Sequence, residues 1–283
     1  MKTRQLTLGL ALVAIVGSVI FSSCRKRDKE EVDKDTSSAS DQSLASTTVN
    51  DMTSISDEAG KSYAVSSFRT ENTDGLLNAP CASVTVDTLS AVRTITVNFG
   101  STNCTCLDGR ERRGSLIMSF TGRYRDSLTV VTVTPQSYFV DDNQVIGTKT
   151  ITNKGHNAAH HLVYDISANI QIIKANGGGT ISWQSNRQRE WITGESTPSW
   201  SDDVYSITGN ANGTNASGNT FTSVITSPLI RNMAPGCRRH FTQGVLEHTP
   251  AGKATRYIDY GNGVCDNKAT VTINGNTYAI TLP

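Results

Sequence analysis

The segment "TVTINGNTYAI", Thr270–Ile280, decides the fold of this 283-residue chain. Two short runs of Val, Ile, Thr and Tyr flank the dipeptide Asn274-Gly275. β-Branched and aromatic residues favour strands, and Asn-Gly is the preferred centre of a two-residue type I′ hairpin. The segment therefore predicts an antiparallel β-hairpin.

The same pattern extends back to residue 61. Short β-branched runs alternate with turns of Gly, Asn, Asp and Ser, as in "RTITVNF" (Arg93–Phe99), "LTVVTVT" (Leu128–Thr134) and "ANIQIIK" (Ala168–Lys174). Such alternation predicts many short strands, and no amphipathic helix pattern follows residue 61, which argues against a parallel β-α-β fold. We expect residues 61–283 to form one all-β domain, an antiparallel meander of about a dozen strands arranged as a sandwich, a barrel or a strongly curled sheet.

One short helix is predicted before this domain, at residues 44–60. Val49, Met52, Ile55 and Ala59 recur every three or four residues, the spacing of one helix face. Residues 24–43 are mostly charged or small and polar, so they predict a flexible tether. The alternative for residues 44–60 is more of this tether.

The amino terminus has the features of an export signal. Lys2 and Arg4 precede roughly 16 uncharged residues, Leu6–Phe21, which is shorter than the roughly 20 that a membrane-spanning helix needs and typical of a signal peptide. Phe21-Ser22-Ser23-Cys24 resembles a bacterial lipobox. We therefore predict a lipoprotein signal peptide at residues 1–23 and a lipid on Cys24, where two or three acyl chains give stable membrane anchoring. An ordinary signal peptide with an incidental cysteine and a true transmembrane anchor are the alternatives.

Charge limits the choice of partners. Removing Lys2 and Arg4 from the 26 basic residues leaves 24, against 25 acidic residues. A nucleic-acid-binding domain is normally strongly basic, so this balance argues against a nucleic-acid partner. "KEE", Lys29–Glu31, resembles the acidic export signals of Bacteroidota surface lipoproteins. It favours an outer-membrane lipoprotein at the cell surface over one at the periplasmic face.

Longer stretches resemble a family of uncharacterised Bacteroidota lipoproteins. The similarity extends over nearly all of the chain from about residue 75, and it is carried by "CTCLDGRERRGSLIMSFTGRYRDS" (Cys104–Ser127), "IGTKTITNKG" (Ile146–Gly155), "SWQSNRQREWITGEST" (Ser182–Thr197) and "RYIDYGNGVCDNKATVTINGNTYAITL" (Arg256–Leu282). The resemblance implies an envelope location and a β-rich body. It implies no activity and no catalytic residues.

Five cysteines remain after Cys24, and an exported chain favours disulfides. Cys237 and Cys265 flank a predicted hairpin and lie at equal distances from Ala251, so we expect them to be bridged. The closed loop of about 29 residues would contribute roughly 3–4 kcal/mol. Cys81 could pair with Cys104 or Cys106, and the "CLDGR" context favours Cys106. A zinc site is disfavoured because the "C-x-C" has no second pair and no nearby His.

Two polar motifs are candidate metal sites. "GHNAAHH" contains His156, His160 and His161, which could bind a metal with Asp165 if the segment were helical. The flanking strand patterns place these histidines in a solvated loop instead. The run Asp141–Asn143 lacks the spaced ligands of a calcium loop and predicts a polar turn. We therefore predict no metal and no cofactor.

The most suggestive stretch for ligand binding is "TISWQSNRQREWITG", Thr180–Gly194. In one strand, Trp183, Arg187, Arg189 and Trp191 share a face, where rings and guanidinium groups could stack on sugars or anionic glycans. The alternative is a sheet face with buried indoles and arginines paired to acids of neighbouring strands.

An enzymatic function is the second hypothesis. A glycan hydrolase needs two carboxylates, for which the candidates are Glu190, Glu195, Asp202 and Asp203, but none lies in a recognisable catalytic motif. We expect a non-enzymatic binding or structural module that is held at the membrane by its lipid and has a glycan or an envelope protein as its partner.

Overall fold

The structure is a computed structural model that describes residues 32–63, 77, 80–87, 89–90, 92–197 and 199–282, without the side chains of residues 61–63. The predicted signal peptide, Cys24 and Lys29–Glu31 lie outside the described residues. Contacts group Asp33–Pro283 into one compact unit.

Among the described residues of this unit there are one long helix, a short 3₁₀ helix at Ala175–Gly177 and fourteen strands. The helix, α1, spans Ser37–Tyr63. The strands are β1 (Ser83–Asp87), β2 (Arg93–Asn98), β3 (Cys104–Thr105), β4 (Glu111–Phe120), β5 (Val130–Val140), β6 (Asn143–His156), β7 (Leu162–Ile173), β8 (Thr180–Thr193), β9 (Val204–Thr214), β10 (Thr220–Asn232), β11 (Gln243–Pro250), β12 (Arg256–Asn262), β13 (Lys268–Ile273) and β14 (Asn276–Thr281).

The strands form one antiparallel sheet in nearly sequential order. The order is β1-β2-β4-β5 and then consecutively to β14, and β3 pairs with β4 beside this path. β1 and β14 are the two ends of this order, so the sheet is not closed. The all-β meander predicted from the sequence is confirmed, in its strongly curled, open form.

The hairpin at Asn274-Gly275 is also confirmed. Ile273 pairs with Asn276, and the two turn residues have φ of 49° and 81°. A type I′ turn needs this left-handed backbone at both central positions. Asp141 and Asp142, with φ of 47° and 60°, form the corresponding turn between β5 and β6.

The sheet curls around α1. Every residue from 41 to 60 is buried, whereas a helix lying on a sheet surface would expose one face. Three apolar clusters hold it, around Ala39, around Leu44, Ala45 and Val49, and around Met52, Ile55 and Ala59. The helix is therefore the central element of the core.

The predicted boundary of the helix is wrong. α1 begins at Ser37 and not at residue 44, so part of the predicted tether is helical and enclosed. The polar side chains of this first part find partners on the sheet: Ser38 Oγ lies 2.7 Å from His248 Nε2, and Gln42 Oε1 accepts a 2.8 Å hydrogen bond from Trp183 Nε1. A polar segment can be buried when its groups are hydrogen-bonded. None of the described helices is long and apolar enough to cross a membrane.

The described residues contain two disulfides. The predicted bridge between Cys237 and Cys265 is confirmed, with 4.6 Å between the Cα atoms. Its hairpin is centred at residue 252 and not at 251, since Leu246 pairs with Ile258, and both cysteines lie beyond the strand ends.

The preference for Cys106 in the second bridge is wrong. Cys81 pairs with Cys104, with Cα atoms 5.8 Å apart, and Cys106 is free and buried. Cys106 begins the turn that leads to Arg110, and its thiol contacts the guanidinium of Arg112. Burial raises the pKa of this thiol.

Candidate functional site

The four residues predicted as a stacking platform face the interior. Trp183, Arg187, Arg189 and Trp191 share one face of β8, as the alternation predicted, but each is at most 5% exposed. β8 lies between β7 and β9, and its inner face is turned towards α1. The exposed platform is therefore wrong. The alternative of buried indoles is confirmed, although Arg189 pairs with an acid of the helix and not with one of a neighbouring strand.

Two acids of α1 pair with arginines of the sheet. Asp57 binds Arg189 through two hydrogen bonds, with its Oδ2 2.6 Å from Nη1 and its Oδ1 3.1 Å from Nη2. Asp51 pairs with Arg112 and accepts a 3.2 Å hydrogen bond from the hydroxyl of Tyr138. Burial alone would raise the pKa of Asp51, but the nearby guanidinium groups lower it to about 2.

Among the described residues, three other cations of the inner face form no ion pair with an acid. Lys149 Nζ donates a 2.8 Å hydrogen bond to Thr53, and Arg231 donates one of 3.1 Å to Ser54. Arg187 packs 5.0 Å from the ring of Trp183, and its three nitrogens have no acceptor among the described residues. Burial lowers the pKa of Lys149 and brings the pKa of Arg187 to about 10. The inner face is therefore cationic, and the acids and hydroxyls of α1 only partly balance it.

A cleft opens outside this interior, and we name it the rim cleft. It has a volume of about 680 Å³ and is lined by Arg125, His156, His160, His161 and residues 191–196. These residues come from the β4–β5 loop, the β6–β7 turn and the end of β8 with the loop that follows. The cleft therefore gathers three chain segments at one edge of the domain.

Glu195 organises the rim cleft. Its Oε1 accepts a 2.9 Å hydrogen bond from Arg125 Nη2 and lies 2.8 Å from His156 Nε2, and its Oε2 accepts a 3.3 Å bond from the amide of Leu162. The guanidinium of Arg125 also lies 5.1 Å from the ring of Trp191, within the range of a cation–π contact. Of the three histidines predicted to lie in a solvated loop, His160 and His161 lie in the β6–β7 turn, whereas His156 is the last residue of β6 and contacts an acid.

Glu190 contacts two residues of the β6–β7 turn. His161 Nδ1 lies 2.7 Å from Glu190 Oε1, to which Asn157 also donates a 2.8 Å hydrogen bond. The contact with His161 and the bond from Asn157 lower the pKa of Glu190. Within the described parts of the chain, no group of three or more His, Cys, Asp or Glu side chains could hold a metal ion.

The two remaining hydrolase candidates have structural partners. Asp202 accepts a 2.8 Å hydrogen bond from the hydroxyl of Thr197, and the buried Asp203 accepts one of 3.0 Å from Tyr205. A Cβ on Gly194 would lie 2.6 Å from Asp203, so this acid packs directly against the loop of the rim cleft. Sequence reasoning did not find the cleft because Arg125, His156 and Glu195 belong to three separate segments: "GHNAAHH" and Glu195 were singled out separately, and neither was connected to Arg125.

A comparison of the chain with protein-family models, with curated proteins and with solved structures found no match. The function proposed below therefore depends on the sequence signals and on the geometry of this chain alone.

Proposed function

We propose that this chain is a lipid-anchored lipoprotein of the outer membrane, displayed at the cell surface, whose β domain is a non-enzymatic module that binds a glycan in the rim cleft. The single observation that carries the binding role is the composition of this cleft. Arg125, His156 and Glu195 offer hydrogen-bond donors and acceptors within one opening, and sugar hydroxyls need both. Its volume lies within the range of about 300–1,000 Å³ that is usual for small-molecule sites.

The state of Glu190 argues against this residue as the general acid of a hydrolase. A glycosidase general acid needs a raised pKa so that it is protonated near neutral pH. The pKa of Glu190 is instead lowered by its contacts with His161 and Asn157. This carboxylate is therefore suited to accept hydrogen bonds.

Glycan binding is tested on a panel of neutral and acidic oligosaccharides with the purified protein. His156→Ala is the test variant because this side chain is 52% exposed and its loss should not impair folding. Lys154→Ala, an exposed neighbour on the outer face of β6, is the matched control. We expect the protein to bind a glycan and the affinity to fall at least about tenfold in His156→Ala, because one to two hydrogen bonds are lost. The affinity of the control variant should be unchanged. Equal affinities of the two variants would contradict glycan binding in the rim cleft. If the protein releases shorter sugars from the oligosaccharides and this release stops in Glu190→Gln, the hydrolase alternative is established.

The anchor and the location need separate experiments. If the protein incorporates labelled fatty acid and the Cys24→Ser variant does not, the result supports a lipid on Cys24. A labelled Cys24→Ser chain would contradict it. Protease treatment of intact cells should remove the β domain if it is displayed at the surface. Digestion only after lysis would place it in the periplasm.

A further inference from the structure

A groove crosses the outer face of the sheet, on the side away from α1, and we name it the outer groove. It has a volume of about 360 Å³, within the range of about 300–1,000 Å³ that is usual for small-molecule sites. Two rows of paired residues from neighbouring strands line it. The first row is Thr152, Asp165, Gln188 and Thr208, and the second contains Thr150, Ser167 and Asn186. The groove therefore runs across β6, β7, β8 and β9.

Charged side chains are rare on this face. Among the described residues of β6 to β9, the Lys, Arg, Asp and Glu side chains of the outer face are Lys154, Asp165 and Glu190, all towards the strand ends at the rim cleft. Lys154 pairs with Asp165 at 3.7 Å. Arg187 also borders the groove, but its side chain is 5% exposed and packs against Trp183 of the inner face. The described lining thus offers an anionic ligand no exposed, unpaired cation, and a neutral ligand is favoured.

Two amide side chains in the groove have fixed orientations. Ser167 Oγ donates a 3.0 Å hydrogen bond to Asn186 Oδ1, and Gln188 Nε2 donates one of 3.2 Å to Asp165 Oδ1. Among the described residues these are the hydrogen bonds of the two amides, so Asn186 Nδ2 remains as a donor and Gln188 Oε1 as an acceptor. Asn186 and Gln188 are two residues apart on β8, so their Cα atoms are about 7 Å apart. The groove therefore presents a donor and an acceptor at a set spacing.

A row of uncharged polar residues continues beyond the groove on both sides. It crosses six strands, β4 to β9, and every member is Asn, Ser or Thr. The members are Ser119, Thr132, Thr150, Ser167, Asn186 and Asn210. The four strands of the groove alone span about 14 Å, at about 4.8 Å between neighbours. A surface of this length suits a polymer whose hydroxyl groups repeat.

The composition of this face argues against a protein or a nucleic acid as the ligand. The cores of protein interfaces are rich in aromatic residues, Met and Arg. Among the described residues of β6 to β9, the exposed large apolar side chains are Ile146 and Ile173, which lie at the strand ends opposite the rim cleft and outside the groove. Nucleic-acid binding depends on Lys and Arg contacts with phosphates, which this face does not supply.

We propose that the outer groove binds a neutral polysaccharide, which lies across β6 to β9 and forms hydrogen bonds with Asn186 and Gln188. Each sugar hydroxyl can donate and accept a hydrogen bond, so it matches both amide groups. The paired strands and the bonds from Ser167 and to Asp165 hold these amides in place before binding, which lowers its entropy cost. The proposal depends neither on the rim cleft nor on the lipid anchor.

Affinity electrophoresis tests the proposal. The purified protein migrates through native gels that each contain one soluble neutral polysaccharide, namely a glucan, a mannan, a xylan or a galactan. We expect at least one of them to retard the protein. In the double variant Asn186→Ala/Gln188→Ala the dissociation constant should rise at least about tenfold, because two hydrogen bonds are lost. Both side chains are exposed, so the melting temperature of the variant should equal that of the parent protein.

The matched control is the double variant Gln243→Ala/Asn262→Ala. These two exposed amides pair with each other on β11 and β12, outside the groove, and their loss should leave the retardation unchanged. Absence of retardation in every gel, or equal dissociation constants of the two double variants, would overturn the proposal.

Competition with soluble sugars measures the length of the site. A trisaccharide from the retarding polymer should compete more strongly than its monosaccharide, because the groove spans four strands. Equal competition would contradict a site that crosses the strands. His156→Ala in the rim cleft should be retarded as the parent protein is. Retardation that is lost in His156→Ala but kept in Asn186→Ala/Gln188→Ala would assign the glycan to the rim cleft and overturn this proposal, so the failures of the two proposals are distinguishable.

Discussion

Asp57 of the helix and Arg189 of β8 form a two-hydrogen-bond ion pair in which both side chains are at most 5% exposed. Burial acts to lower the pKa of Arg189, but the charge of Asp57 outweighs it and raises that pKa. The pair thus joins the enclosed helix to the sheet that surrounds it. Each partner keeps the other from being an isolated charge in the core.

Breaking this pair should strongly destabilise the protein. We expect Asp57→Asn to lower the free energy of unfolding by about 3–5 kcal/mol, because the guanidinium of Arg189 then stays buried without its counter-ion. Asp165→Asn is the matched control, since Asp165 forms a half-exposed ion pair with Lys154 and should cost less than about 1 kcal/mol. Urea unfolding measures both, and equal losses would refute the role of the buried pair.

Two arginines on the same face of β8 should respond in opposite ways to the same substitution. Arg187 has no acceptor among the described residues, whereas Arg189 has Asp57. We expect Arg187→Met to leave stability unchanged or to raise it, because it removes an uncompensated buried charge and keeps most of the volume. Arg189→Met should lower the free energy of unfolding by about 3 kcal/mol or more. A large loss in Arg187→Met would reveal an anionic partner for Arg187 outside the described residues.

Stability should fall in mild acid through His248. Burial, with a smaller contribution from Arg256, lowers the pKa of this histidine from 6.5 to about 4. Between pH 6.5 and 4, His248 is therefore protonated in the unfolded chain but neutral in the folded chain. The free energy of unfolding consequently falls as the pH drops through this window. The full effect is about 3 kcal/mol, at about 1.4 kcal/mol per pH unit.

The variant His248→Gln separates this contribution from others. It should reduce the slope of stability between pH 6.5 and 4, and part of the slope should remain because the pKa of His240 is lowered as well. Asp51 acts in a different window: its pKa is lowered to about 2, so its contribution is lost only as the pH falls from about 4 towards 2. An unchanged slope in His248→Gln would show that His248 is charged in the folded protein.

Alkylation should identify one free thiol in the β domain. We expect the unreduced, denatured protein to be labelled at Cys106 and at none of the four bridged cysteines, as read by peptide mapping. Cys106→Ala should keep both bridges. Labelling of Cys104 in the parent protein would mean that Cys81 pairs with Cys106 instead.

Local rules predicted most of the sheet, and long-range contacts account for what they did not predict. The Asn274-Gly275 turn and the alternation around Trp183 depend only on residues that are neighbours in the sequence. The hairpin and the shared face of β8 could therefore be predicted. The burial of that face could not be predicted, because the element that covers it is a helix about 140 residues earlier in the sequence. The hydrogen bond between Gln42 and Trp183 is an example of this contact. The helix itself was predicted too short for the same reason: its polar first turns have no apolar signal, and their partners lie on distant strands. The rim cleft is likewise built from segments that are far apart in the chain.

The enclosure of α1 also constrains how the chain can fold. Ser38 contacts His248 across 210 residues and Ser43 contacts Tyr260 across 217, and Asp33, which precedes the helix, contacts Arg256 across 223. Contacts of such long sequence separation slow folding, since loop closure precedes the contacts that offset its entropy. The helix emerges first during synthesis but acquires these partners only when the last strands are available. Folding into the enclosed form is therefore a late event, and a chain that stops before β11 leaves the first part of the helix without its partners His248 and Tyr260.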